Sequence, residues 1–563
     1  MKNQIVARIL YEVADILEIK GVEFKPYAYR RAAQSIGSLT DDIEEYYKKG
    51  KLEEIPGVGK AIAEKVAEII ETGSLKHLED LKKSMPVDLE LLNIGGLGPK
   101  KVMILYKKLK IRNVNDLEKS AKAGKISKLH GFGEKTEKEI LDNIELSRKR
   151  KERMLLGHAL PIAEEIIRKL KKLGYVDNIS VAGSLRRMKE TIGDIDILVT
   201  SKKPEGVMKA FTGMEDVDEV LAKGTTKSSV LLKSGIQADI RVVEKKSFGS
   251  ALLYFTGSKE HNIALRKIAI QKKMKLSEYG LFKGNTQIAG KTEEEVYKKL
   301  GLHYIEPEIR ESAGEIEASL KNKLPKLIGY DDIKGDLQMH SNWSDGQNTI
   351  EEMASAAKRL GYEYICITDH TGSLAIAHGL DEKRIEKQYK EIDKAENKID
   401  GIRILHGCEV NIRSDGSLDI RDNILKKLDI VVAGVHSGFK QDNTERIMKA
   451  MENENVDIIA HLTGRKMNER KEYDIDIHKI IDKAKETGTI LEIDAQPKRL
   501  DLNDVNARAA IEHGCRIAIN TDAHSIEQLS FMKLGIGTAR RAWLENKHVI
   551  NANNVEKMLK MLK

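Results

Sequence analysis

Over the first 150 residues, apolar positions recur three and four apart, as in IPGVGKAIAEKVAEI (Ile55–Ile69). The spacing predicts a succession of helices broken by Gly-x-Gly turns. From about residue 175 the rhythm shortens. NISVAGS, IDILVT, SVLLKS and QADIRVVE are β-branched runs separated by turns, and each predicts a short strand. Residues 258–300 read as helix again. The stretch from about 310 to 334 holds Pro325, Gly329 and the pair Asp331–Asp332, and its end, 319–334, reads as a linker. Beyond Lys334, strand-like runs alternate with helical ones: YICITDH, IRILHGCEV, DIVVAGVHS, VDIIAHLTG, TILEIDAQ and RIAINTDAH. Such alternation predicts parallel β/α units.

A chain of 563 residues is too long for one core, so several domains are expected. No run approaches the roughly 20 apolar residues of a membrane span. The N-terminus, MKNQIVARILYEVADILEIKG, mixes charged with apolar residues and lacks the apolar core of a secretory signal. Cys366, Cys408 and Cys515 are widely spaced and form no CxxC pair, which points to reduced core residues and a cytoplasmic location. Charge is uneven. Residues 1–334 carry 62 Lys and Arg against 50 Asp and Glu, whereas residues 335–563 carry 34 against 38. A basic N-terminal portion suits a polyanionic partner.

Three segments, around Gly57-Val58-Gly59, Gly96-Leu97-Gly98 and Gly131-Phe132-Gly133, share a Gly-hydrophobic-Gly turn leading into a helix. Glycine permits the tight turn and a close backbone approach. The following helix start offers free N–H groups to an anion. The apolar residue between the glycines can anchor the turn. The form resembles the helix-hairpin-helix motif, which grips DNA phosphates without reading sequence.

GSLRRMKETIGDIDILV (Gly183–Val199) carries the densest chemistry of the middle region. Asp194 and Asp196 stand two apart in a strand-like run, which places both carboxylates on one face. Two such anions repel, and a shared divalent cation resolves the repulsion; oxygen ligands favour Mg²⁺. Asp239, in another strand-like run, offers a third carboxylate, as two-metal phosphoryl transfer requires. Here the chain resembles the family X DNA polymerases over roughly residues 1–317. The resemblance implies that Gly183, Ser184 and Arg187 bind the incoming nucleotide's phosphates, and that Asp194, Asp196 and Asp239 hold Mg²⁺ or Mn²⁺. It implies that Tyr254, Phe255, Thr256 and Gly257 line the sugar pocket, and that Asn262 and Arg266 contact the base and the template side. Gln237 departs from an arginine of that pattern. The N-terminal helices resemble the family's lyase domain. There Lys65 falls on the Schiff-base lysine for a 5′-deoxyribose phosphate, with Lys25 and Tyr29 on part of the 5′-phosphate pocket. Ala61 replaces a pocket lysine, and Lys60 is the adjacent substitute.

The C-terminal portion is rich in metal-ligating types at strand ends: His340, Asp345, His370, Glu409, His436, His461, Asp522 and His524. In a β/α barrel such ends converge on one mouth. Mixed imidazole and carboxylate ligands suit Zn²⁺, Mn²⁺ or Fe. The set DLQMHSNWSDG, ITDH, GCE, GVHS, AHL and TDAH resembles the PHP phosphoesterase domain. That resemblance implies up to three ions, Mn²⁺ or Zn²⁺, in a distorted seven-stranded barrel, and 3′–5′ exonuclease activity. Gln338 stands where many such domains have a histidine. Asp369, His406 and Asp494 lie nearby on no assignable ligand position.

The expected architecture is multidomain: α-helical helix-hairpin-helix N-terminal domains, an α+β nucleotidyltransferase palm, and a C-terminal distorted (β/α)7 PHP barrel. The boundaries read as a helical lyase-like domain over 1–85, a helical DNA-binding subdomain over 86–150 and the palm over 151–250. They continue with a nucleotide- and template-binding subdomain over 251–318, a linker over 319–334 and the barrel over 335–563. The expected substrates are gapped or nicked DNA and deoxynucleoside triphosphates, with no membrane association and a monomeric state. Two other readings compete: a polymerase whose barrel is a phosphatase or inactive, and a non-catalytic DNA-end scaffold.

Overall fold

The computed structural model describes residues 2–563 apart from 38, 40, 41, 84–86, 89, 90, 92–96, 98, 130, 134, 135, 139, 142, 143, 145–152 and 373–376. The chain forms two compact units, residues 1–153 with 208–240, and residues 154–207 with 241–563.

In the first unit, helix Lys2–Ile19 packs on helix Lys25–Gly37. Val6, Leu10, Val13 and Leu17, four and three apart, are all buried and form the stripe that drives this pairing. Helix Lys60–Thr72 joins the same core through Ile62, Val66 and Ile69 and ends at Gly73 in the left-handed conformation. A second cluster gathers Val102, Leu105, Ile111, Leu117 and Phe132. Val58 and Phe132, the apolar members of the first and third Gly-x-Gly turns, are buried to 3% and 4% exposure and anchor those turns as expected; Leu97 is buried to 4%. Strands Val217–Lys223 and Lys227–Leu232 pair antiparallel.

In the second unit, strand Val176–Val181 pairs antiparallel with Asp194–Ser201, with Val181 opposite Ile197. Ile195, Ile197 and Val199 point into the core, so the carboxylates between them face the other way. Helix Phe248–Thr256 runs buried along this sheet, and helix Lys259–Gln271 follows. The reading of 258–300 as helix is corrected here. Lys275–Ser277, Gly280–Lys283 and Thr286–Ala289 form a three-stranded antiparallel meander before helix Glu293–Leu300. Its strands are too short to show alternation, and the turn is set by Gly284 at φ +57°. Strand Val217–Lys223 was likewise not anticipated, because VDEVLAK has mostly exposed positions.

The barrel holds seven parallel strands in sequential order: Gly335–Met339, Tyr364–Ile367, Arg403–Asn411, Ile430–Gly434, Ile458–Ile459, Ile490–Asp494 and Ile517–Asn520. The first and last approach at one end, where His340 N–H donates to Ala523 O at 2.8 Å. Strand residues alternate between two cores. Ile365 and Ile367 pack toward the outer helices, while Tyr364 and Cys366 join Leu337, Leu405, Ile458 and Ala518 in the interior beneath the C-terminal helix Val555–Leu559. Cys366, Cys408 and Cys515 are buried and free, with burial pushing the thiols up. The segment read as a linker is packed on the barrel: Ile328 and Ile333 are buried in its outer core, and Ile328 N–H donates to Leu544 O at 2.9 Å.

Candidate active sites

The Ala182–Arg187 turn closes the strand Val176–Val181 and opens a short helix at Gly183. Gly183 has φ +62°, and a Cβ there would stand 2.5 Å from Asp196 Oδ2. The turn thus lies directly on one carboxylate of the Asp194/Asp196 strand. Arg187 Nη1 donates to Thr256 O at 2.5 Å and its Nε to Glu311 at 3.0 Å. Arg186 forks onto Glu293 at 2.9 and 2.6 Å and also reaches Thr256 Oγ1. Burial alone would raise the Glu293 carboxyl, but Arg310 and Arg186 hold it down to about 2. These ion pairs fix the turn against helix Phe248–Thr256. At that helix's end, Asn262 donates from its amide to Tyr254 O at 2.7 Å, and Arg266 Nε to Asn262 O at 3.3 Å. Tyr254, Asn262 and Arg266 line one small pocket with Ser250 and Leu276, and Phe255 meets Tyr254 edge to face. In the other unit, Asp239 accepts from the Gln237 amide at 2.8 Å and lies 3.6 Å from Lys227 Nζ. Ser184 belongs to the short Gly183–Arg186 helix.

In the N-terminal helices, Lys65 Nζ donates to Ala61 O at 3.0 Å. Burial, and to a lesser degree the ammonium of Lys65, lower the imidazole of His77. Tyr29 is a core residue at 7% exposure. Gly57 and Gly131 have φ of +88° and +86°, as the turns require, and Gly59 starts the Lys60–Thr72 helix with no side-chain cap. Its first amides are thus left to a ligand or water. Gly133 is described in the third turn, whereas Gly96 and Gly98 lie outside the described residues.

In the barrel, the sequence-marked ligands converge. Glu409, fully buried, is the hub: His370 Nδ1, His436 Nε2 and His461 Nε2 each lie 3.0 Å from its carboxylate, and His340 Nε2 lies at 3.5 Å. His340 Nε2 is also 3.0 Å from Asp522, and Asp345 stands 3.5 Å from His524 and 3.9 Å from His370. Three overlapping groups have ligand atoms within 4.8 Å of one another: His340, Asp345, His370 and His524; His370, Glu409 and His436; His340, Glu409 and Asp522. Burial would raise Glu409, yet His370 and His436 hold it well below the carboxylate range. His340 Nδ1 and His461 Nδ1 are buried without a hydrogen-bond partner, and His370 Nδ1, His436 Nε2 and Glu409 Oε2 approach one another without hydrogen-bond geometry. Such orphaned atoms are rare in proteins, and this donor set with open lone pairs fits divalent cations.

Sequence reasoning passed over Asn411, Glu492 and Arg499 and gave no supporting role to Asp369 or Gln338. Asn411 accepts from His436 Nδ1 at 2.7 Å, turning Nε2 toward Glu409. Asp369 accepts from Ser341, Ser344 and Gln388 and so fixes the loop between His340 and Asp345. The Gln338 amide donates to Glu492 at 2.5 Å, and Glu492 also accepts from the Asn520 amide and His461 N–H. Arg499 Nε lies 3.2 Å from Asp494 and 4.0 Å from Asp522, which puts a buried cation beside the ligands. His406 stacks on Tyr389 and takes no part.

Fold and sites together define a class: a nucleotidyltransferase-like region with helix-hairpin-helix turns, joined to a seven-stranded barrel with candidate metal-ligand groups at its mouth. Comparison with known proteins agrees. Family models match as Helix-hairpin-helix domain over residues 1–75, SAM-like Helix-hairpin-helix tandem over 88–145, DNA polymerase beta thumb over 251–311 and PHP domain over 336–496. The chain is 39% identical to the DNA polymerase/3'-5' exonuclease PolX of Bacillus subtilis (strain 168), covering 100% of both chains. It is 29% identical to DNA polymerase lambda of Rattus norvegicus over 55% of this chain and 56% of that one. A probable phosphatase of Thermoanaerobacter sp. (strain X514) is 34% identical over 37% of this chain and 84% of its own length. The chain belongs to the PolX family, the family X DNA polymerases that carry a PHP domain. No described helix is long and apolar enough to cross a membrane.

Proposed function

We infer that the protein is a DNA repair polymerase that fills short gaps from deoxynucleoside triphosphates and trims 3′ ends in its barrel. The observation that carries the polymerase half is the approach of the Gly183 turn to Asp196, as a triphosphate-binding turn beside a metal-holding carboxylate requires. In this reading Asp194, Asp196 and Asp239 hold Mg²⁺ or Mn²⁺, which supplies charge stabilisation for phosphoryl transfer. Gly183, Ser184 and Arg187 bind the triphosphate. Tyr254, Phe255 and Gly257 shape the sugar pocket, and Asn262 and Arg266 face the base and template. The glycine turns at 57–59, 96–98 and 131–133 hold DNA phosphates.

The nuclease half rests on the ligand set around Glu409. His340, Asp345, His370, Glu409, His436, His461, Asp522 and His524 would hold Mn²⁺ or Zn²⁺, which supplies an activated water for hydrolysis at phosphorus. Asn411 orients His436, and Asp369 holds the loop that delivers Asp345. A 5′-deoxyribose phosphate lyase at Lys65 is the second reading, resting on the place of Lys65 in helix Lys60–Thr72, directly behind the Gly57–Gly59 turn.

A labelled primer on a one-nucleotide gap tests the assignment. Asp194→Ala with Asp196→Ala abolishes extension and leaves shortening, and His340→Ala with Glu409→Ala does the reverse. Release of phosphate from monoesters with no shortening of DNA would turn the barrel into a phosphatase.

A further inference from the structure

The turn that carries Arg187 rests on the barrel at three points. Arg541, the last residue of barrel helix Met532–Arg541, is almost fully buried and donates to the main-chain O of Arg187 at 2.9 Å. The same guanidinium pairs with Glu311 at 3.0 Å and with Asp504 of barrel helix Asp504–Glu512 at 2.5 Å. Glu311 in turn is the partner of Arg187 Nε, at 3.0 Å. One residue on, Met188 packs on Gly537 so closely that a Cβ there would stand 2.6 Å from Met188 Cε. Two residues further, Glu190 takes the Arg465 guanidinium of the barrel at 2.5 Å. Burial would raise Glu311, but Arg541, then Lys189 and Arg187, hold it down to about 2.

The geometry points to Arg541 as a positioning residue for the polymerase site: the PHP barrel, through Arg541 and Glu311, sets the orientation of Arg187 toward the incoming triphosphate. This rests on the reading of Arg187 as a nucleotide-phosphate ligand. Arg187 meets Glu311 through Nε and Thr256 O through one Nη, so two of its nitrogens are spent on aim. A guanidinium fixed by a carboxylate loses little entropy when an anion arrives. Glu311 alone would neutralise Arg187 and compete with phosphate. Arg541 shares that carboxylate and leaves Arg187 its charge for the ligand. The polymerase site therefore includes the barrel as a structural part, and the two activities are joined for a physical reason.

The test is single-turnover and steady-state gap filling by the full-length protein, varying the deoxynucleotide. Glu311→Gln keeps shape and removes the charge. Arg541→Met breaks the link from the barrel side, and Arg541→Lys keeps the charge. Arg540→Gln is the control, because Arg540 pairs with Glu308 at 2.7 Å in the same buried junction and does not touch the turn. Loss of one charge-assisted bond predicts a KM for deoxynucleotide raised about ten-fold in Glu311→Gln and Arg541→Met, with kcat nearly unchanged. Arg541→Lys recovers part of it, and Arg540→Gln leaves KM as in the parent. Removal of 3′ nucleotides stays at the parent rate in all four. Arg187→Ala is run alongside. If it raises KM while Glu311→Gln and Arg541→Met do not, the positioning role is overturned and the nucleotide reading stands. If Arg187→Ala leaves KM unchanged, the nucleotide reading fails and takes the positioning role with it. An equal rise in Arg540→Gln overturns the positioning role in favour of general loosening of the junction.

Discussion

At the scale of single residues, Gly183 shows how tightly the polymerase region is drawn. Its backbone sits at φ +62°, and Asp196 Oδ2 occupies the place of a side chain. Gly183→Ala would add left-handed strain of about 1–2 kcal/mol and push the carboxylate aside. Displacement of a reacting group by ~1 Å costs on the order of 100-fold in rate, so primer extension is expected to fall by about that factor while 3′ shortening continues. Extension at the parent rate would show that Asp196 does not depend on this contact. Most of the candidate ligands could be picked out because they follow an apolar run, as His370, Glu409, His436 and His461 do, whereas Asp345 stands in the polar stretch SNWSDG. Their supports were not visible. Asp369 acts through Ser341, Ser344 and Gln388, and Asn411 through His436, all partners that meet only after the barrel closes. Arg499 carries no sequence signal of its own, and folding alone sets it 3.2 Å from Asp494.

Among the elements, Glu293 ties three together: the Gly183–Arg186 helix through Arg186, its own helix Glu293–Leu300, and the Pro307–Ile309 turn through Arg310, 2.6 Å away. Its carboxyl lies at about 2 against an ordinary 4.5. A folded-state value below the unfolded one stabilises above about 4.5, and the contribution is lost as pH falls from there towards about 2. The difference corresponds to about 3 kcal/mol. Urea unfolding of the parent and Glu293→Gln should therefore show a stability gap that is widest near neutral pH and narrows on acidification; a gap independent of pH would mean that the carboxylate is not charged in the fold. The same scale explains which elements could be read in advance. The Lys2–Ile19 stripe carries a helical period, and the barrel strands sit in unbroken apolar runs that alternate with helical ones; both formed as expected. The meander over 275–289 did not announce itself, because strands of three or four residues carry no period and owe their place to the helices Phe248–Thr256 and Lys259–Gln271 beneath them.

On the scale of the whole chain, the barrel gathers buried polar atoms that lack a hydrogen bond: His340 Nδ1, His370 Nδ1, His436 Nε2, His461 Nδ1 and Glu409 Oε2 lie together. Each such atom costs about 1–3 kcal/mol when left unpaired. Cations that coordinate them bind the folded state and not the unfolded one, so they must stabilise it by mass action, about 2.7 kcal/mol at one hundred times Kd. The barrel also holds the Gly183–Glu190 turn through Arg541, Gly537 and Arg465, so its stability is felt in the polymerase region. Calorimetry of protein stripped by a chelator should give a Tm that rises on adding Mn²⁺ or Zn²⁺ without any DNA present. His340→Ala with Glu409→Ala should lose most of that rise, because the pair belongs to all three ligand groups between them. Asp194→Ala with Asp196→Ala should keep it, since those carboxylates lie outside the barrel. A Tm that ignores the metal in the parent, or a rise that survives loss of His340 and Glu409, would mean that these side chains are not what the cations stabilise.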